Sequence, residues 1–345
     1  MTEGKRGLLD RLDAGPVICA EGYLFELERR GYLQAGAYVP EVVLDHPELV
    51  SGLHREFVHA GSDVVEAFTY YAHREKLRIL GKEHLLEAMN RQALSLAAEV
   101  AAESGALLAG NVCNTNAFDP AEPAAVAGMF REQVAWAAEA GADFIIGETF
   151  SWGQEALEAT AVIKAAGLPA VVTLAIHRAP ETREGWSPAE ACKRLEDAGA
   201  DVVGLNCIRG PRTMLPLLAD VRRAVAGHVA ALPVPYRTHP DEPSFQSLRD
   251  PAYPDVPGGR PFPTALDPFT CNRYEIADFT TAARELGVGY LGVCCGAAPH
   301  HIRSMAEALG RRPAASRYSA DMSKHAFLGT DPSLRSENQA YASEL

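Results

Sequence analysis

Eight short apolar runs recur along the chain: PVICAE (16–21), DVVEAFTYY (63–71), ALLAGNV (106–112), DFIIGE (143–148), PAVVTLAI (169–176), DVVGLNC (201–207), HVAALPV (228–234) and VGYLGVCC (288–295). Runs of this length suit strands buried on both faces, as in parallel sheets. Between them lie amphipathic, Ala- and Glu-rich stretches such as PELVSGLHREFVHAG and LLEAMNRQALSLAAEVAAESG, several ending on the glycine that closes helices in the left-handed conformation. Strand and helix alternating eight times predict an α/β chain folded as a (β/α)8 TIM barrel. Three near-copies, AGSDVVE, AGADFIIGE and AGADVVGLN, support a repeated unit. A doubly wound sheet is the alternative, but no glycine-rich dinucleotide fingerprint follows the first run.

Two segments depart from the alternation. Residues 237–274 are rich in Pro and Gly and form a long connection after the seventh strand, where a barrel places lids and binding loops. From Arg311 onward the sequence is polar and lacks helical periodicity, so the reading is one barrel domain over 1–310 and an irregular C-terminal tail over 311–345.

Composition narrows the partners. An apolar content of 47% over 345 residues is enough to bury a sizeable core. The net charge of -13, without a basic stripe, argues against nucleic acid and anionic membranes, which demand Lys and Arg. There is no apolar run of membrane-spanning length, and the first fifteen residues, MTEGKRGLLDRLDAG, have no export pattern; the expected location is the cytoplasm and the expected partners are small molecules. Seven cysteines, an odd number, read as free thiols or metal ligands and not as a disulfide framework.

Barrel enzymes carry their chemistry at the C-terminal ends of strands. Here those ends bring Glu21, then Tyr70 and Tyr71, then Asn111 with Asn114 and Asn116, then Glu148, Asn206 with Cys207, and finally Cys294 with Cys295. Adjacent cysteines are poorly placed to bridge each other. Three thiols from two strand ends match a catalytic zinc with one open position, yet buried cysteine is also common filler, and the residues alone leave both readings open. Cys19, Cys113, Cys192 and Cys271 call for no function, and His300 and His301 read as the opening of a helix and not as ligands.

The stretches GLNC (204–207) and GVCCG (292–296), the latter followed shortly by HHIRSMAEAL, resemble the two zinc motifs of the homocysteine S-methyltransferases, and residues 24–77 are similar to the N-terminal segment of the betaine-using branch of that family. The resemblance runs from about Arg6 to about Leu309. It implies Zn2+ held by Cys207, Cys294 and Cys295, with homocysteine sulfur at the open position and Glu148 on the homocysteine amino group. It places Tyr38 and Tyr71 against an onium methyl donor such as glycine betaine, the product being methionine. A sulfonium or another betaine is the alternative donor, and a non-catalytic zinc- or thiol-binding barrel the more distant reading. Tyr70 is read as packing.

Departures from the family pattern accompany these expectations. Ala20 stands where the family carries an aspartate, leaving Glu21, one position on, as the candidate second partner of the ammonium; Thr149, Glu66 and Leu232 replace a tyrosine and two glutamines. The short tail argues against the tetramer-forming arm of the animal enzymes and leaves a homodimer open.

Overall fold

Each apolar run pairs in parallel with its neighbour in sequence. The computed structural model describes residues 6–345. Its strands are β1 (Val17–Ala20), β2 (Val64–Glu66), β3 (Leu107–Cys113), β4 (Phe144–Phe150), β5 (Ala170–Leu174), β6 (Val202–Asn206), β7 (His228–Leu232) and β8 (Tyr290–Val293). They close in the order β1 to β8, with β8 returning to β1 through the register Val17 to Tyr290 and Ala20 to Val293. A helix follows every strand, beginning with Pro47–Ala60 and ending with Pro299–Ala308. The eightfold alternation of the sequence is therefore a (β/α)8 barrel.

The near-copies play one structural role three times. Gly61, Gly141 and Gly199 each adopt a positive φ (115°, 79° and 96°) at the end of a helix. Two residues later Asp63, Asp143 and Asp201 accept a backbone N–H from the preceding strand, from Ile18 at 2.8 Å, Leu108 at 2.7 Å and Ala170 at 2.8 Å. The glycine turns the chain and the carboxylate sets the strand register.

Two apolar layers result. Inside the barrel, Val17, Cys19, Leu107, Phe144, Ile146, Val202, Leu232 and Tyr290 fill the axis, and Leu8 and Leu12 of the helix Leu8–Ala14 join them. The larger layer lies between the strands and the helices. Cys192 is fully buried in that layer, as expected of filler.

The loop after β7 is anchored at the C-terminal rim: Phe245 N–H donates to Ile208 O at 2.8 Å, Cys271 N–H donates to Pro235 O at 2.8 Å, and Phe245, Leu248 and Leu266 are buried. The tail carries short 3-10 turns and one short helix, Ser336–Tyr341. No helix among the described residues is long and apolar enough to cross a membrane.

Candidate active site

The end of β7 assembles the sulfur trio. Leu232 O accepts the amide of Cys207 at 2.8 Å, and the next carbonyl, Pro233 O, accepts the amide of Cys294 at 2.9 Å. The flanking strands can close on β7 and β1 because two residues lack side chains. A β carbon on Gly204 would run into the backbone of Ala230, and one on Gly292 into the carbonyl of Cys19. The glycines of GLNC and GVCCG thus permit the approach that brings the sulfurs of Cys207, Cys294 and Cys295 within 4.8 Å of one another.

The trio is chemically uneven. The thiols of Cys294 and Cys295 bond to Cys207, which lies well below the usual thiol range, while the same contact holds Cys294 and Cys295 well above it. Cys207 itself sits at φ 54°, followed by Ile208 at 56°. Positive φ at a β-branched residue is strained, and such strain concentrates at functional sites. Tyr38 (55°), Tyr71 (60°) and Thr149 (62°) share it, all on the same rim.

On one side of the sulfurs lies a cavity of about 20 Å³ lined by Glu21, Glu66, Asn111, Glu148, Cys294 and Cys295 among others. All three carboxylates are buried, at 6%, 3% and 5% exposure. Two asparagines organise them. Asn111 Nδ2 donates to Glu66 Oε1 at 2.5 Å and to Glu148 Oε1 at 2.7 Å; Asn206 Nδ2 donates to Glu148 Oε2 at 2.8 Å and to Thr149 Oγ1 at 2.9 Å. No Lys, Arg or His pairs with these acids among the described residues. Burial, reinforced by Glu148 and Glu66, pushes Glu21 well above the carboxylate range; burial and Glu148 do the same to Glu66; and burial, opposed by Asn111, takes Glu148 up to about 7. Such a cavity favours a cation, which would remove the repulsion and the desolvation penalty together.

On the other side lies an aromatic cavity of about 210 Å³, with Cys207 and Cys295 in its wall. Tyr38, Tyr71, Phe25, Phe245 and Phe262 line it, and His177, Ser151 and Gln246 supply a polar edge in which His177 lies 2.8 Å from Ser151 Oγ and 3.1 Å from Gln246 Oε1. Phe245 and Phe262 come from the long loop, their rings 4.8 Å apart. Cys295 borders both cavities.

The structure brings every residue singled out from the sequence to one rim: Glu21 and Glu148 to the carboxylate cavity, Tyr38 and Tyr71 to the aromatic one, and the cysteines between them. Tyr71 already carries a cation, with Lys76 Nζ 4.7 Å from its ring centroid, and Tyr70 packs on it at 4.3 Å. Tyr70 also borders both cavities, and its hydroxyl donates to Asn114 Oδ1 at 3.4 Å. His301 caps its own helix, Nδ1 accepting Ala298 N–H at 3.1 Å, as expected of a helix-opening residue. Leu232 is buried within the barrel. Sequence reasoning assigned no role to Glu66, Asn111, Asn206, Thr149, His177, Phe25, Phe245, Gln246 or Phe262. The available signal for the first three was their position at strand ends; the loop residues had none.

A family model described as homocysteine S-methyltransferase matches residues 19–309. The betaine–homocysteine S-methyltransferase 1 of Xenopus laevis is 39% identical over 317 residues, covering 88% of this chain and 76% of the frog protein. The S-methylmethionine–homocysteine S-methyltransferase BHMT2 of Mus musculus is 34% identical, covering 97% and 91%. Among solved structures, the metallated homocysteine methyltransferase MmuM of Escherichia coli superposes with a TM-score of 0.67 at 19% identity, covering 87% of this chain and 99% of that one, a likeness of fold. With nearly three hundred residues matched and the cysteine trio assembled at the rim, the chain belongs to the homocysteine S-methyltransferase family.

Proposed function

We propose that the protein is a zinc-dependent enzyme that moves a methyl group from an onium donor, glycine betaine or a close relative, to homocysteine, giving methionine. One observation carries this reading: the sulfur trio borders two cavities, Cys294 and Cys295 lining the carboxylate one and Cys207 and Cys295 the aromatic one. A methyl transfer in which the acceptor enters from one side and the donor from the other requires such a division.

Three cysteine sulfurs within 4.8 Å of one another, without a fourth protein ligand in the group, suit a soft divalent cation with an open position. Cys207, Cys294 and Cys295 would hold the zinc, which when bound favours the thiolate form of an acceptor thiol at neutral pH. The residues of the chain do the rest. Glu21 and Glu148 line the cavity offered to the acceptor's ammonium, and Tyr38, Tyr71 and the phenylalanines present ring faces and edges to a permanent cation while excluding water. Transfer forms a carbon–sulfur bond and breaks the donor's carbon–nitrogen or carbon–sulfur bond, its electron pair leaving with the neutral amine or thioether. No proton moves in that step, so no general base is needed. The relatives named for betaine and for S-methylmethionine both fall within this chemistry. Seven unbridged cysteines fit a reducing cytoplasm.

The test is methionine formation from homocysteine by the zinc-loaded protein with a panel of onium donors, followed by mass spectrometry. Transfer from at least one ammonium or sulfonium donor is the expected result; transfer from none contradicts the reading.

A further inference from the structure

Several surface arginines of this acidic chain hold carboxylates: Arg55 pairs with Glu99 and Glu103, and Arg74 with Glu83 and Glu132. A chamber of about 300 Å³ beside the aromatic cavity departs from that pattern. Arg178, Arg249 and Arg260 line it, and none of the three guanidinium groups meets a carboxylate among the described residues. Arg249 Nη1 donates to the carbonyls of Ser247 at 3.2 Å and Leu248 at 3.1 Å, and Arg260 Nη1 to Gln246 O at 3.1 Å. The acids in the wall are Asp241 and Glu242; Glu242 lies 3.6 Å from His239 and accepts the backbone amide of Arg249 at 3.2 Å, not its guanidinium. A fourth cation supports the wall from within. Arg209, 6% exposed, donates Nε to Ile176 O at 3.0 Å and Nη2 to the carbonyls of His177 at 2.6 Å and Arg178 at 3.0 Å. Burial lowers its pKa, and no acid stands close enough to oppose that. A buried cation without a counter-ion is costly.

Two residues join this chamber to the aromatic cavity. His177 and Gln246 line both, and the hydrogen bond between His177 Nδ1 and Gln246 Oε1, at 3.1 Å, forms part of the wall they share. With Oε1 so engaged, the amide nitrogen of Gln246 is left to donate. Three guanidinium groups without anionic partners around one concavity are the complement of an oxyanion, because each brings N–H donors in planar pairs that match carboxylate and phosphate geometry. We propose that the chamber is an oxyanion-binding site that takes a carboxylate or phosphate group. Two sources supply that chemistry. One is the far carboxylate of a long-chain onium acid that passes the His177–Gln246 pair while its methyl-bearing centre stays among the rings; the other is a free anion bound beside the donor. The first source rests on the proposed onium donor, whereas the anion site itself does not.

The test compares the zinc-loaded wild-type protein with the double variant Arg249→Gln/Arg260→Gln, whose exposed side chains lie outside the core. Inorganic phosphate is titrated by calorimetry at constant ionic strength, so that general screening is equal in both proteins. In parallel, methionine formation gives the donor KM for glycine betaine and for 4-trimethylammoniobutyrate, whose carboxylate stands two carbons further from the nitrogen. A wild-type preference for the longer acid that falls at least about tenfold in the variant, the loss of one charged hydrogen bond, assigns the site to the donor's tail. Phosphate affinity that falls by as much, with the ratio of the two KM values unchanged, assigns it to a free anion. If the variant alters neither phosphate binding nor the donor ratio, the arginines are a solvated face and the inference is overturned. Absence of transfer from every onium donor, with phosphate binding still weakened in the variant, contradicts the methyltransferase reading alone.

Discussion

Asn206 Nδ2 lies 2.8 Å from Glu148 Oε2, so the residue just before the first cysteine of the sulfur trio also fixes a carboxylate on the second strand away. Its Oδ1 accepts the amide of Thr149 at 2.9 Å, holding that residue at its positive φ. Asn206→Ala removes these bonds, the one to Thr149 Oγ1 and a long contact to Cys294 Sγ at 3.9 Å, while leaving all three cysteines in place. We expect homocysteine binding to weaken by about 1.5 kcal/mol, roughly tenfold, with zinc content unchanged. Calorimetry beside metal analysis checks this; a variant that loses zinc instead would place Asn206 in the metal centre.

Gly204 and Gly292 explain why GLNC and GVCCG contain glycine. Gly204→Ala sets a β carbon into the Ala230 backbone, where no rotamer change relieves it, and should destabilise the protein by roughly 3 kcal/mol or more. Gly128→Ala is the control: it lies in the helix Ala127–Glu139 with only the tip of Arg131 nearby, and should stabilise by about 0.5–1 kcal/mol. Denaturant melts of the two variants should therefore move in opposite directions.

Tyr38 lines the aromatic cavity and no cation among the described residues sits over its ring, whereas Lys76 sits over Tyr71. Tyr38→Leu should raise the donor KM by about 30-fold, the equivalent of about 2 kcal/mol of cation–π contact, and leave the homocysteine KM unaltered. Tyr38→Phe keeps the ring and should behave like the wild-type protein. Tyr71→Leu should have the smaller effect of the two leucine variants. Equal rises in both substrates' KM for Tyr38→Leu would mean that the ring shapes the rim and does not select the donor.

His54 is buried in the helix Pro47–Ala60 with both ring nitrogens unpartnered and its ring 4.9 Å from that of Tyr23. Burial, aided by Arg55, lowers its pKa from 6.5 to about 3. The unfolded chain takes up a proton near the ordinary value while the folded chain refuses it, so this residue's contribution is intact above about pH 6.5 and is lost as pH falls toward 3. The loss reaches about 3 kcal/mol at pH 4. His54→Leu should flatten the acid side of the stability curve, although His73 and His301, both lowered to about 4 by burial, keep part of the slope. Denaturation midpoints between pH 7 and pH 4 report the difference.

The barrel was legible because its strands are buried on both faces and its helices on one, a contrast that periodicity records directly. The Asp of each AGxD copy was visible as a repeat, although only the structure shows its carboxylate holding the neighbouring strand. The cysteines stood out at strand ends, but it was the resemblance of GLNC and GVCCG to the family's motifs that singled out Cys207, Cys294 and Cys295. Glu66 and Asn111 stood out only as strand-end positions; their pairing was not legible, because it joins neighbouring strands 45 residues apart in sequence. Phe245 and Phe262 reach the aromatic cavity through a loop whose path depends on anchors such as Phe245 to Ile208, which no local pattern encodes.

The central claim is that Cys207, Cys294 and Cys295 form a zinc centre dividing the two substrate cavities. Metal content after exhaustive dialysis tests it most directly. One zinc per chain in the wild-type protein, and its loss in each of Cys207→Ala, Cys294→Ala and Cys295→Ala, is the predicted result. Stoichiometric zinc retained in all three variants, or a wild-type protein that holds none after loading, would contradict it.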